Sequence, residues 1–150
     1  IHNDFLVEYY ACPQDTCKNR LLSLLRSANN SISFALFTFT DEEVAQVLLD
    51  KHNKGVLVTG VVESFQAKQY NQYYLLEKAS IPVFLEESAA LQHNKVFVID
   101  EKIVITGSYN PTRAAATINN ELLLILHNNE LARAYTLVLE DIFKSTQSFK

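Results

Sequence analysis

The chain reads as an α/β fold: a single domain on a mixed, mostly parallel sheet with helices on both faces. Three observations predict it. Strand-like and helix-like segments alternate through the first half, a tight hairpin opens the second, and an amphipathic helix closes the chain. At 150 residues there is room for one compact core and little for a second.

The elements follow in order. Phe5 to Tyr10 is aromatic and branched and reads as a strand. Beyond Pro13, the stripe Leu21, Leu22, Leu24, Leu25 and Ala28 predicts a helix ended by Asn29 and Asn30. Ser31 to Phe37 alternates Ile32, Phe34 and Leu36 with small residues, as a strand does. Thr40 and Glu43 have the spacing of a capping box for a helix lined by Val44, Val47 and Leu48, with Gly55 as its stop. Val56 to Val62 predicts a strand buried on both faces. Gln66 to Ala79 reads as helix, and Ile81 to Leu85 returns to extended chain. Lys95 to Ile99 and Ile103 to Thr106 are strands joined by Asp100-Glu101-Lys102, a tight hairpin. Pro111 to Ala116 predicts a short helix with Asn110 as its cap. Glu121 to Leu126 is a further strand and Asn129 to Lys144 the closing helix.

Composition narrows the class. With 48% hydrophobic and 20% charged residues and only three Gly and three Pro, the chain is neither disordered nor linker-rich. Its net charge of −4 argues against binding polyanions by bulk charge. The chain opens on Ile1 and contains no Met. Residue 1 is therefore read as other than a translation start, and the expectation is a secreted or membrane-anchored protein whose leading segment has been removed. Cys12 and Cys17 are too widely spaced for a zinc ribbon and have no second pair. A small disulfide-closed loop and two packed thiols both remain open.

The chemistry concentrates in the second half. His93 and Lys95 are two apart on a strand, so their side chains leave the same face. The hairpin returns its second strand beside the first, which brings Gly107, Ser108 and Asn110 back toward them, and Glu121 begins the next strand. An imidazole can act as nucleophile or general acid, and a carboxylate can fix its tautomer. An ammonium, an amide and a hydroxyl can hold phosphate oxygens. Glycine next to Ser108 allows a sharp turn or a close backbone approach. No Asp, Glu or His cluster has metal-ligand spacing, so no metal or other cofactor is called for. Glu63 ends a strand, where α/β sheets place functional groups, and Arg113 can add positive charge. His2, His52 and His127 read as surface or strand-end residues.

The pattern His93-x-Lys95-x4-Asp100-x6-Gly107-Ser108-x-Asn110 resembles the HKD motif of the phospholipase D superfamily, and Asn120-Glu121 stands where that family carries a further acidic feature. The layout is similar to the short, single-motif members, which are mostly nucleases. The resemblance implies that His93 attacks phosphorus to give a phosphohistidine and that Lys95 and Asn110 hold the phosphate oxygens. It further implies that Ser108 and Glu121 orient the histidine, while Asp100 and Gly107 support the hairpin. Two motifs make one site in that family, so a single-motif chain implies a homodimer with two His93 side chains facing each other.

The implied activity is metal-independent phosphodiester hydrolysis, with DNA or RNA as the leading substrate. Leu85-Glu86-Glu87-Ser88-Ala89-Ala90-Leu91, acidic and then apolar, keeps a phospholipase acting on a lipid headgroup as the alternative. Lys51, Lys54, Lys68 and Lys78 are too scattered to form a basic stripe. A non-catalytic phosphate-binding module is a third reading, and the intact His93, Lys95, Ser108, Asn110 and Glu121 set argues against it.

Overall fold

A computed structural model describes residues 5–67, 72–89 and 91–147. Seven strands form one sheet: β1 (Leu6–Cys12), β2 (Ser31–Leu36), β3 (Leu57–Glu63), β4 (Val83–Glu86), β5 (Lys95–Ile99), β6 (Ile103–Gly107) and β7 (Glu121–His127). The helices are α1 (Cys17–Ser27), α2 (Glu42–Asn53), α3 (Ser64–Ala67), α4 (Tyr73–Lys78), α5 (Arg113–Thr117) and α6 (Asn129–Gln147). The sheet order is β1-β7-β6-β5-β2-β3-β4.

The mixed α/β sheet is as expected, but its majority is not. β2–β3 and β3–β4 are parallel, whereas β1–β7, β2–β5, β5–β6 and β6–β7 are antiparallel. Parallel neighbours form only where a crossover helix returns the chain to the adjacent strand. β1 runs in the direction of β2 but lies four places from it, at the edge beside β7. The alternation of segments signalled the crossovers without showing which strands would touch.

Helices cover both faces. On one, α1, α2, α4 and α5 contribute Leu21, Leu25, Val44, Leu48, Leu76 and Ala115 to a core that includes Ile32, Phe34, Phe97, Ile105 and Ile125. On the other, α6 sets Ala132, Leu139 and Phe143 against Ala35, Val61, Val96, Val98 and Val104. Truncating one of the large side chains in such a core to alanine costs about 2–5 kcal/mol.

Local details correct several expectations. Asp41, not Thr40, caps α2: its carboxylate accepts from the N–H of Glu43 at 3.0 Å and of Val44 at 3.2 Å. Thr112, not Asn110, caps α5, accepting from Ala115 N–H at 3.1 Å. The helix expected over residues 66–79 is represented by α3 and α4, and residues 68–71 lie outside the described residues. Leu57, at the start of β3, is exposed rather than buried. Cys12 and Cys17 form a disulfide, which settles the open choice between bridge and thiols.

One end of the sheet gathers the functional segments. The register pairs Leu36 with Lys95, Gly107 with Leu123, Cys12 with Glu121 and Glu63 with Glu86. The ends of β1, β2, β3, β4 and β6 and the beginnings of β5 and β7 therefore share one edge. β2 is also where parallel pairing changes to antiparallel, the kind of switch point at which α/β sheets place ligands.

Candidate active site

His93 and Lys95 leave the same face of the chain entering β5, and their side chains meet. Lys95 Nζ lies 3.3 Å from His93 Nδ1 and donates to the His93 carbonyl at 2.7 Å. The ring of Phe37, just beyond β2, packs on the imidazole with centroids 4.6 Å apart, and Lys95 Nζ lies 5.3 Å from that phenyl centroid. Phe37 thus holds the imidazole and the ammonium together. Burial lowers the Lys95 pKa, and the negative charge of Glu121 works against that shift.

Across the hairpin, Ser108 donates its hydroxyl to Glu121 Oε2. The turn is locked from both sides: Ser108 N–H donates to the Leu122 carbonyl at 3.0 Å, and Leu122 N–H donates to Ser108 Oγ at 3.0 Å. Gly107 makes this closeness possible. Its φ of +131° suits glycine, and a Cβ there would overlap the Leu122 carbonyl oxygen. Asn119 Nδ2 donates to the other Glu121 oxygen at 3.3 Å. Tyr109 is buried between Ser108 and Asn110 and anchors the turn in the core. Asn110 Oδ1 accepts from Thr38 N–H at 3.1 Å, tying the turn to the β2–α2 loop; the donors of the side chain are on its amide NH2.

Glu121 is expected to orient His93; its two oxygens are hydrogen-bonded to Ser108 and Asn119. Asp100 is expected to support the hairpin, and it does. Asp100 sits in the hairpin turn at the other end of β5. Its carboxylate accepts N–H groups of Asn29 (2.9 Å), Asn30 (2.7 Å) and Ser31 (2.9 Å). Burial works to raise its pKa, but these donors prevail and lower it. Asp100 binds the hairpin to the start of β2 and takes no part in the His93 cluster.

Other candidates fall elsewhere. Arg113 lines a cleft of about 720 Å³ with Lys18, Asp41, Glu42 and Glu43. None of the residues His93, Lys95, Ser108, Asn110 or Glu121 lines it. His127 pairs with Glu8 at 2.6 Å near the opposite end of the sheet, and His2 and Lys68 lie outside the described residues. Glu63 is buried at 5% exposure and bonds to the loop before His93: Oε2 accepts from Gln92 N–H at 2.7 Å, and Oε1 from Phe65 N–H at 3.1 Å. Two contributors, Phe37 and Gln92, are not assigned a role by the motif. Phe37 is signalled only as part of the stretch Phe37-Thr38-Phe39-Thr40, where the family resemblance extends beyond the motif, and Gln92 only as a polar residue next to His93.

The site as a whole is an open surface. His93 and Ser108 are exposed, and an imidazole, an ammonium, an amide and a carboxylate-bound hydroxyl come from neighbouring segments at this end of the sheet. That set can bind an oxyanion and present a ring nitrogen to it.

Comparison with known proteins places the chain in a family. Residues 21–143 match the family described as "Cardiolipin synthase, PLD-like domain". A mitochondrial cardiolipin hydrolase of Chlamydomonas reinhardtii is 34% identical over 129 residues, covering 85% of this chain and 57% of that protein. A phospholipase D of Rickettsia bellii is 32% identical over 124 residues, covering 82% and 62%. The chain thus spans about three fifths of the length of these relatives. The crystal structure of Nuc from Salmonella typhimurium, a phospholipase D family member, superposes with a TM-score of 0.83 at 26% identity, covering 92% of this chain and 93% of that one. With its motif residues set along one sheet edge and a family match running from α1 into α6, the chain belongs to the phospholipase D superfamily.

Proposed function

We propose that this chain is a phosphodiesterase domain that cleaves nucleic acid through a phosphohistidine, without a metal ion, in a site completed by a second copy. The observation that carries the reading is the contact of Lys95 Nζ with His93 Nδ1 on an exposed loop. It sets a cation beside the imidazole, so that the ammonium and the Asn110 amide can hold the non-bridging oxygens of a phosphate within reach of a ring nitrogen. A ring-nitrogen lone pair forms the N–P bond as the P–O bond to the leaving group breaks. Protonated His93 of the second copy gives its proton to the departing oxygen. Now neutral, that imidazole takes a proton from water, which attacks phosphorus and releases His93. Ser108 and Glu121 hold the turn that carries Asn110. The metal-free route is supported by the donor set: among the described residues, no three His, Cys, Asp or Glu side chains are grouped as metal ligands.

The second copy is supported by an apolar face. Leu126 packs with the α6 cluster, and alternation puts Leu122 and Leu124 on the same face, with Val7 opposite Leu126, Tyr9 opposite Leu124 and Ala11 opposite Leu122 in β1. Val7, Tyr9 and Leu122 remain exposed there, as do Leu137 and Val138 on α6. An uncovered apolar surface of this kind marks an association site. The open site supports a polymer substrate, because a strand can cross an exposed surface that encloses no acyl chain.

A second reading, hydrolysis of phospholipid headgroups, is favoured by exposed large apolar residues beside the strand ends at the same sheet edge. Phe65 follows β3, Leu91 precedes His93 and Ile118 precedes Glu121, at 71%, 58% and 75% exposure.

The test is degradation of single- and double-stranded DNA and RNA in excess EDTA by the native chain and by His93→Asn. Cleavage that survives chelation and is lost in the variant is the expected result. Intact nucleic acid beside headgroup release from phospholipid vesicles selects the second reading. Activity retained by His93→Asn overturns both.

A further inference from the structure

We infer that Glu63 is a positioning residue for His93, acting through the backbone of Gln92. This rests on the phosphodiesterase reading above for the role of His93. Glu63 closes β3 and Glu86 stands opposite it in β4. Both carboxylates are buried, and each is used on backbone N–H groups of loops at that end of the sheet. Glu86 Oε1 takes Ser88 N–H at 2.9 Å, while Glu63 Oε2 takes Gln92 N–H at 2.7 Å. The second bond is immediately adjacent to the nucleophile. Gln92 is itself buried, and its side-chain oxygen accepts from Asn94 N–H at 3.0 Å and Asn94 Nδ2 at 2.7 Å.

His93 therefore lies between two residues that are bonded to each other, and one of them is fixed to β3 by a charge-assisted hydrogen bond. Such bonds are roughly twice as strong as neutral ones. Exposed loops carrying reactive groups need this support, since a misplacement of 1 Å can cost on the order of a hundredfold in rate. A buried carboxylate whose two oxygens serve the first turn of α3 and the loop before His93 is well suited to supply it. Glu63 touches no reacting atom.

The test compares Glu63→Gln with Glu86→Gln. Amide hydrogen exchange at Gln92, the NMR signals of the His93 ring and the kinetics of bis(p-nitrophenyl) phosphate hydrolysis are followed. Glutamine keeps the shape but replaces one acceptor oxygen with a donor. In Glu63→Gln the Gln92 amide is expected to exchange at least about tenfold faster, the His93 signals to shift, and kcat to fall roughly tenfold to a hundredfold with KM within about twofold. Glu86→Gln, acting seven residues before His93, is expected to leave kcat within about twofold. Equal losses of kcat in the two variants, or an unchanged kcat in Glu63→Gln, overturn the inference. If Glu63→Gln does not fold, the native protein still decides it: a Gln92 amide exchanging as fast as that of Leu91 refutes the clamp. A native chain that cleaves no phosphodiester sinks the function reading, while the exchange and ring signals still decide the clamp.

Discussion

Cys12 stands directly across the β1–β7 ladder from Glu121 and is bridged to Cys17 at the first residue of α1. The edge strand flanking Glu121 is thereby tied covalently to a helix. Closing a loop this short, with a sequence separation of five, stabilises by about 2 kcal/mol on the chain-entropy account. Cys17→Ser, or reduction of the native protein, is expected to lower unfolding stability by about that amount. Denaturant titration checks it; coincident midpoints with and without reductant would count against the bridge as a stabilising element.

Lys95 and Glu121 are linked through charge. Burial lowers the lysine's pKa and Glu121 opposes the shift, so removing the carboxylate leaves burial unopposed. In Glu121→Gln the alkaline limb of kcat/KM, where Lys95 loses its proton, is expected to move to lower pH. A pH–rate profile on a small phosphodiester reads this directly. A limb that stays in place, or moves up, would separate Lys95 from the titration.

Glu8 on β1 accepts from Arg20 at 2.6 and 3.1 Å, from His127 at 2.6 Å and from Tyr10 at 2.8 Å. The Arg20 bonds lead in holding its carboxyl down near pH 2, with burial opposing and His127 and Tyr10 assisting. A depressed folded-state pKa gives stability that is fully present above about 4.5, the ordinary value, and lost as pH falls toward about 2. Glu8→Gln is expected to cost about 2 kcal/mol at neutral pH and to flatten the acid side of the stability curve. Melting temperatures measured from pH 6 to pH 2 provide the check.

Two glycines at positive φ separate strain from collision. At Gly55, with φ +88°, an added Cβ would meet nothing within 4 Å, whereas at Gly107 it would strike the Leu122 carbonyl oxygen. Gly55→Ala is expected to cost about 1 kcal/mol of backbone strain. Gly107→Ala is expected to cost at least about 2 kcal/mol and to impair turnover, because it forces open the turn holding Ser108. Paired urea titrations distinguish them; equal costs would show that β7 yields freely.

The residues that could be brought together from sequence are those joined by short connections. His93, Lys95 and Ser108 reach the same end of the sheet because a three-residue turn pairs β5 with β6, and alternation assigns their faces. What lay beyond reach was long-range pairing. Nothing local places β1 beside β7 or lays Phe37 on the imidazole, and Glu63 reaches Gln92 across 29 positions. The same limit explains the mistaken parallel majority: segment order shows which elements exist, while shared burial decides which strands become neighbours. The caps shifted by one or two residues, from Thr40 to Asp41 and from Asn110 to Thr112, because neighbouring polar side chains compete for the same N–H groups.

Asp100 lies one strand length from the chemistry, roughly 17 Å at about 3.4 Å per residue. Its three backbone donors are Asn29 and Asn30, which lead into β2, and Ser31, which begins it, so it works as a registration pin between β2 and β5. Side chains alternate, and a slip of one residue would turn His93 and Lys95 toward α6 and present Asn94 and Val96 in their place. The third letter of the motif thus protects the first two by parity: it decides which side of the sheet they face.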